Sequence, residues 1–311
     1  GIVYRASHAM LRRATAIKLL RPELVESRDL ARFEREVRLT AKLSHPNTVT
    51  VYDYGRTPED LFYYAMELLD GVDLDLLVET CGPQSAARVI HIMERVADAL
   101  SEAHDIGLIH RDIKPSNIIL CSSGGKQDVP KVVDFGLVRE VEQPADLALT
   151  GKGYIVGTPL YMAPESISAN TEPDCRADLY ALGAVGYFLL TGTDVFDGDE
   201  LLEICWAHLK TPPTPPSERL GEPIAADLEA VILWCLEKDP NARPQTAAEL
   251  RERLLACGDV ERWTESDMEQ WWQRHGPSLP CSSNPRSLGE SKDQSRARTL
   301  MVGPGDLDLG F

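Results

Sequence analysis

The chain has no hydrophobic run long enough to cross a bilayer. Its longest, Ala181 to Leu190, is about half of the roughly 20 residues that a spanning helix needs, and it reads as a buried helix. No secretory leader is visible, so the expected location is cytoplasmic, with any membrane anchor lying in a longer parent outside these residues. Basic residues are scarce. Lys and Arg total 32 against 49 Asp and Glu, a formal net charge of -17. That balance argues against nucleic acid as the main partner, because a phosphate backbone needs clustered cations. Paired cysteines are missing too. Cys81, Cys121, Cys175, Cys205, Cys235, Cys257 and Cys281 are scattered, odd in number and never spaced C-x-x-C. They read as free thiols of a reducing compartment, and they exclude a disulfide framework or a zinc knuckle. No internal repeat is evident.

What is present is an ordinary globular composition, 43% hydrophobic and 26% charged, with length enough for two lobes. The fold class expected is α+β. Residues 1–70 read as a small β-rich lobe with one helix. Thr15 to Leu20 is an apolar strand with a single lysine, Arg28 to Leu43 carries a helical stripe of Leu30, Phe33, Val37 and Ala41, and Val49 to Tyr54 and Leu61 to Leu69 are two further strands. The chain starts without Met inside a strand-like stretch, Ile2 to Ala6, which suggests missing sequence before it. Residues 71–257 read as a helical lobe. Gln84 to Asp105 is a helix stopped by Gly107, two short strands flank a Gly-Ser turn at Asn117 to Leu120 and Lys131 to Val133, and helices follow at 174–191, 199–209, 225–237 and 246–256. Thr211 to Pro216 is a rigid connector. Residues 258–276 form a Trp-rich amphipathic extension, expected to dock on the larger lobe, with partner binding as the alternative. Residues 277–311 read as a disordered tail.

Three constellations carry chemistry. The run His110-Arg111-Asp112-Ile113-Lys114-Pro115-Ser116-Asn117 places a carboxylate, an ammonium and an amide within a few positions on a proline-stiffened loop. Such a set can move a hydroxyl proton to Asp112, steady phosphoryl charge with Lys114 and ligate a hard cation with Asn117. Asp134-Phe135-Gly136 follows an apolar strand, and a carboxylate there can aim at a metal between phosphates. Ala16-Ile17-Lys18 points one ammonium into apolar surroundings, where it needs an anion. Glu36 is the expected carboxylate partner; Glu34 is the alternative, but Phe33 and Val37 mark the inward stripe that Glu36 borders.

In this order the motifs resemble the protein kinases, specifically the bacterial eukaryotic-like Ser/Thr group, over roughly residues 1–257. The resemblance implies a two-lobed kinase-like fold that transfers the γ-phosphoryl group of ATP to Ser or Thr hydroxyls of protein substrates. Mg2+ would be the metal, with Mn2+ as a substitute. Lys18 and Glu36 would pair at the phosphates, Asp112 would be the base, Lys114 the phosphate contact, and Asn117 and Asp134 the metal ligands. The ATP site would add Gly1, Val3, Ala16, Met66, Glu67, Leu69, Asp73 and Ile119. Ala163-Pro164-Glu165 would close the activation segment with Glu165 on Arg243, and Asp178 would brace the catalytic loop. Lys114 and Gly157-Thr158-Pro159-Leu160-Tyr161 match Ser/Thr rather than Tyr kinases, with Thr158 shaping the substrate site. Arg111 would receive a phosphate on Thr150, and dimerisation would allow phosphorylation in trans. The family's glycine-rich loop is reduced to Gly1 and Val3, so weak nucleotide binding is expected of these residues alone. A pseudokinase or signalling scaffold is the rival reading.

Overall fold

The computed structural model describes residues 2–8, 10–19, 36–57, 61–135, 159–168, 173–198 and 200–279. Gly1, Glu34, Gly136, Thr150, Thr158 and the tail from 280 lie outside the described residues, as does the start of the helix expected from Arg28.

Four antiparallel strands form the first sheet, in the order β1-β2-β4-β3: β1 Ile2–Ser7, β2 Ala14–Leu19, β3 Val51–Arg56 and β4 Phe62–Glu67. Inward positions alternate as the pleat requires. Phe62, Tyr64 and Met66 of β4 are buried while Tyr63 and Ala65 are less so. These residues pack with Ala16, Val37, Val49 and Leu69 into one apolar cluster, and residues 36–40 are helical.

A second antiparallel sheet joins β5 Gly71–Asp73, β6 Ile118–Ser123 and β7 Lys126–Val132. Pro130 is tolerated inside β7 because β7 is an edge strand of this sheet, where a missing ladder donor does least harm. Helices Leu74–Cys81, Ala86–Asp105, Arg176–Thr191, Leu201–Lys210, Ala226–Cys235 and Ala247–Leu255 build the larger lobe. Two short helices, Pro164–Ile167 and Pro216–Leu220, complete it, the latter starting at the last residue expected to be a connector.

The helix Arg176–Thr191 is buried on nearly all sides. Its glycines explain how. A Cβ on Gly183 would lie 2.4 Å from Cys235 Cβ, and one on Gly186 would lie 2.4 Å from Met93 Sδ. Two neighbouring helices therefore approach its backbone directly.

The Trp-rich extension docks on the larger lobe through a buried charge. Asp128, at the start of the strand that leads to Asp134, is fully buried and accepts from Arg88 Nε at 2.8 Å and Nη2 at 2.6 Å. It also accepts from Trp263 Nε1 at 2.8 Å and Trp272 Nε1 at 2.6 Å. The Arg88 guanidinium lies 3.5 Å from the centre of the Trp271 ring. A buried carboxylate needs several donors to replace its water, and the helix Glu265–His275 with Trp263 supplies two of them. Ordered structure continues past the expected boundary at 277, because Leu279 packs into the main core.

Removing the carboxylate leaves Arg88 buried and unpaired. Asp128→Ala is expected to lower unfolding free energy in urea by about 3–5 kcal/mol, and Trp272→Phe by about 1–3 kcal/mol.

Candidate active site

The loop His110–Asn117 is held from beneath by one carboxylate. Asp178, 1% exposed on the buried helix, accepts the backbone N–H of His110 at 2.8 Å and of Arg111 at 2.7 Å. His104 Nε2 donates, at 2.8 Å, to the same Oδ2 that accepts from His110. Arg111 takes a positive φ of 64°, a conformation that a non-glycine residue keeps only when its surroundings demand it. The two N–H bonds to Asp178 supply that demand. Burial pushes the Asp178 carboxyl up, but the His104 hydrogen bond, the nearby imidazoles and the His110 N–H bring it below the usual range.

His110 is itself fully buried and neutral at neutral pH, its pKa pushed down by desolvation. Its Nδ1 accepts from Asp112 N at 3.2 Å, so Nε2 carries the proton and donates to Val133 O at 2.9 Å. Its ring lies 4.6 Å from that of Phe135, which is 1% exposed. The loop and the segment bearing Asp134 are thus fastened together by an imidazole, a role the sequence did not disclose.

At the loop's far end, the short helix Pro115–Asn117 turns Asn117 back onto Asp112. Asn117 Nδ2 donates to Asp112 O at 2.8 Å and to Asp112 Oδ2 at 2.9 Å. Lys114 Nζ lies 2.8 Å from the same Oδ2. Asp112 Oδ1 and Asn117 Oδ1 therefore have no partner among the described residues. Val133 N donates to Asn117 O, so the start of β6 and the end of β7 bring Asn117 and Asp134 to the same edge.

Asp134 has φ 59° and accepts from Tyr64 OH at 2.8 Å through Oδ1, while Lys18 Nζ lies 2.7 Å from Oδ2. Burial raises its carboxyl; the charge and hydrogen bond of Lys18, with the Tyr64 hydroxyl, bring it below the usual range. The expected Lys18–Glu36 pair is not what forms. The Lys18 side chain, 8% exposed, takes Asp134 as its anion, and Glu36 Oε1 lies 3.7 Å from Arg111 Nη1. Lys18 is on β2 with Asp134 directly within reach of its ammonium, whereas the Glu36 carboxylate is turned to the Arg111 guanidinium.

Val3 and Ile119, partly buried, pack with Ala16, Met66 and Leu69 in the smaller apolar cluster. Glu67 ties the lobes by a 2.9 Å ion pair with Lys131, and its N–H donates to Thr50 O. Asp73 caps the helix Leu74–Cys81 by accepting from Leu76 N at 2.8 Å. Arg243, with no side-chain exposure, grips Glu165 through two hydrogen bonds of 2.7 and 2.8 Å. Tyr64, His104 and His110 were missed as site residues. Only Tyr64 left a signal, since a tyrosine at an inward strand position needs a partner for its hydroxyl.

The donor set suits a hard divalent cation that keeps phosphate and water oxygens. It offers one amide oxygen from Asn117 and a carboxylate on Asp134 whose oxygens retain lone pairs beyond their two donors. Among the described residues no group of three His, Cys, Asp or Glu could hold a metal by protein ligands alone.

A small antiparallel sheet over a helical lobe, with this loop between them, defines the class. The protein kinase domain family matches residues 1–255, and the chain belongs to it. It is 36% identical over 269 residues to the serine/threonine-protein kinase pkn3 of Myxococcus xanthus, covering 86% of this chain and 49% of that protein. It is 39% identical over 263 residues to the serine/threonine-protein kinase PknB of Mycobacterium tuberculosis, covering 83% of this chain and 41% of that protein. The chain thus spans half or less of the length of these curated relatives. The crystal structure of the Mycobacterium tuberculosis PknI kinase domain superposes with a TM-score of 0.63 at 27% identity, covering 82% of this chain and 89% of that one. Among the described residues no helix is long and apolar enough to cross a membrane.

Burial sets a pH dependence. His91 and His110 are held below the usual imidazole range by desolvation, and His208 is pushed down to about 4. Lowered pKa values mean that the unfolded chain takes up protons first. The stability these imidazoles contribute is therefore full above about pH 6.5 and is lost as the pH drops below it, while Asp75, pushed up to about 6 by burial, acts with the opposite sign in the lower part of that range and offsets part of the loss. Calorimetry should show the melting temperature declining from pH 7.5 to pH 5.5; a flat or rising trend would contradict the burial.

Proposed function

We propose that this chain is the catalytic domain of a Ser/Thr protein kinase that transfers the γ-phosphoryl group of ATP to hydroxyls of protein substrates, with Mg2+ as the working metal and Mn2+ as a substitute. The observation that carries this reading is the orientation of Asp112. Both Lys114 and Asn117 engage its Oδ2, which leaves Oδ1 open to an incoming hydroxyl. Oδ1 orients that hydroxyl and takes its proton. Lys114, a third exposed, faces phosphoryl charge beside it, and Lys18 meets the α- and β-phosphates from β2. Asn117 Oδ1 and Asp134 hold the metal. Bound Mg2+ and ATP supply the phosphoryl group and neutralise its charge. Val3, Ala16 and Ile119 enclose the base, with Met66 at the rear, Glu67 and Leu69 along the connector and Asp73 near the ribose; Gly1 is, with Val3, what this chain retains of the family's glycine-rich loop. Glu36, placed against Arg111, supports Lys18 when it reaches that lysine.

The pseudokinase alternative finds no support. Lys18, Asp112, Asn117 and Asp134 are all present, and the matched relatives are named as serine/threonine-protein kinases. We read 1–257 as the catalytic domain (1–70 and 71–257 as its lobes), 258–276 as its extension, the location as cytoplasmic and the substrates as proteins rather than nucleic acids. Dimerisation would present one copy's activation segment to another.

Replacing the base is the direct test. Asp112→Asn should lower phosphorylation of a generic basic protein by at least about a hundredfold while nucleotide affinity stays near wild type. Equal phosphorylation by both would refute the reading. For regulation, Thr150 is the proposed phosphate acceptor whose charge Arg111 would receive, and Thr158 would shape the substrate site. Mass spectrometry of active protein should find phosphate on Thr150, and Thr150→Ala should lower activity; an unmodified Thr150 together with a fully active variant would remove it.

A further inference from the structure

Tyr64 lies on the inward face of β4 and is 2% exposed. It and Lys18 are register partners on neighbouring antiparallel strands. Their side chains leave the same face and converge on one carboxylate: Lys18 on Asp134 Oδ2 at 2.7 Å, Tyr64 on Asp134 Oδ1 at 2.8 Å. Both donors belong to the smaller lobe, while Asp134 belongs to the segment leaving β7.

The backbone around Asp134 is already fixed. Val133 bonds Asn117 and His110, and Phe135 is buried against His110. What remains free is rotation of the carboxylate about its own side-chain torsions. Lys18, on a flexible four-carbon stem, pins one oxygen. The other would swing without a second donor. A phenol at the end of a rigid ring, on a strand, supplies that donor without adding positive charge that would compete with a cation.

We propose that Tyr64 is a positioning residue for Asp134, setting the plane of its carboxylate so that its remaining lone pairs face the edge shared with Asn117. This rests on the reading of Asp134 as a metal ligand. Tyr64→Phe keeps the ring and its packing and removes only the hydroxyl.

Free Mn2+ in titrations of the ADP-loaded chain, read by electron paramagnetic resonance, should show affinity weakened about tenfold in Tyr64→Phe. The Mg2+ concentration for half-maximal phosphorylation should rise in step, with a smaller change in KM for ATP at saturating Mg2+. A merely structural role would lower the melting temperature and leave Mn2+ affinity unchanged, which would overturn the proposal. Asp134→Asn separates the two readings. If it binds Mn2+ as wild type does, the metal-ligand reading fails and this inference with it. If it loses Mn2+ while Tyr64→Phe does not, the inference alone fails. Should Tyr64→Phe unfold, 3-fluorotyrosine at position 64 provides a second measurement. Its fluorine resonance should shift when Mg2+ is added to the ADP-loaded chain, and an unmoved resonance overturns the proposal.

Discussion

The site depends on the Asp178 carboxylate. It is buried on the central helix, and it accepts two consecutive backbone N–H groups of the loop His110–Asn117 and one from the His104 imidazole. Burying an ionised carboxylate is costly, so its oxygens must all find donors. That demand pulls His110 and Arg111 into one conformation, including a positive φ at Arg111. With the loop's entry set, His110 reaches Val133 and Phe135, and the exit turns Asn117 back on Asp112. The central helix can perform this role because Gly183 and Gly186 let its neighbours pack closely against it.

The same logic of buried charge joins the remaining parts. Asp134 ties the larger lobe to β2 and β4 of the smaller one, and Glu67 with Lys131 forms a second tie. Arg243 holds Glu165 beside the central helix. Arg88 and Asp128 draw the Trp-rich extension over the hairpin that ends at Asp134. Arg88 with Asp128 and Arg243 with Glu165 are paired charges taken from water, strongly unfavourable to break by halves; Asp134 and Glu67 are partly exposed, each paired to a buried lysine.

Much of this was legible in the chain. The strand carrying Lys18, the helix following Ser85, the buried run near Leu182 and the loop His110–Asn117 all announced themselves, because periodicity, proline and closely spaced polar residues act over short distances. Other features were hidden by distance. Lys18 and Asp134 are far apart in sequence, so their ion pair, in place of the one expected with Glu36, follows from which carboxylate the fold brings to the Lys18 ammonium. Asp128 gave no hint of four donors, since these come from a helix before it and an extension well after it. Leu279 read as the start of a tail until the core it enters was visible.

The sequence by itself determined the chemical inventory and its order: one lysine in an apolar strand, a carboxylate, an ammonium and an amide on one rigid loop, and a second carboxylate at a strand end. Those are local properties, set by side-chain type and spacing. Only the tertiary structure decided the pairings: which oxygen of Asp112 stays open, which nitrogen of His110 carries the proton, and that Tyr64 shares Asp134 with Lys18. Hydrogen bonds and ion pairs between distant segments depend on which groups the fold leaves facing each other without water, and that is settled only when the two sheets and the central helix have packed.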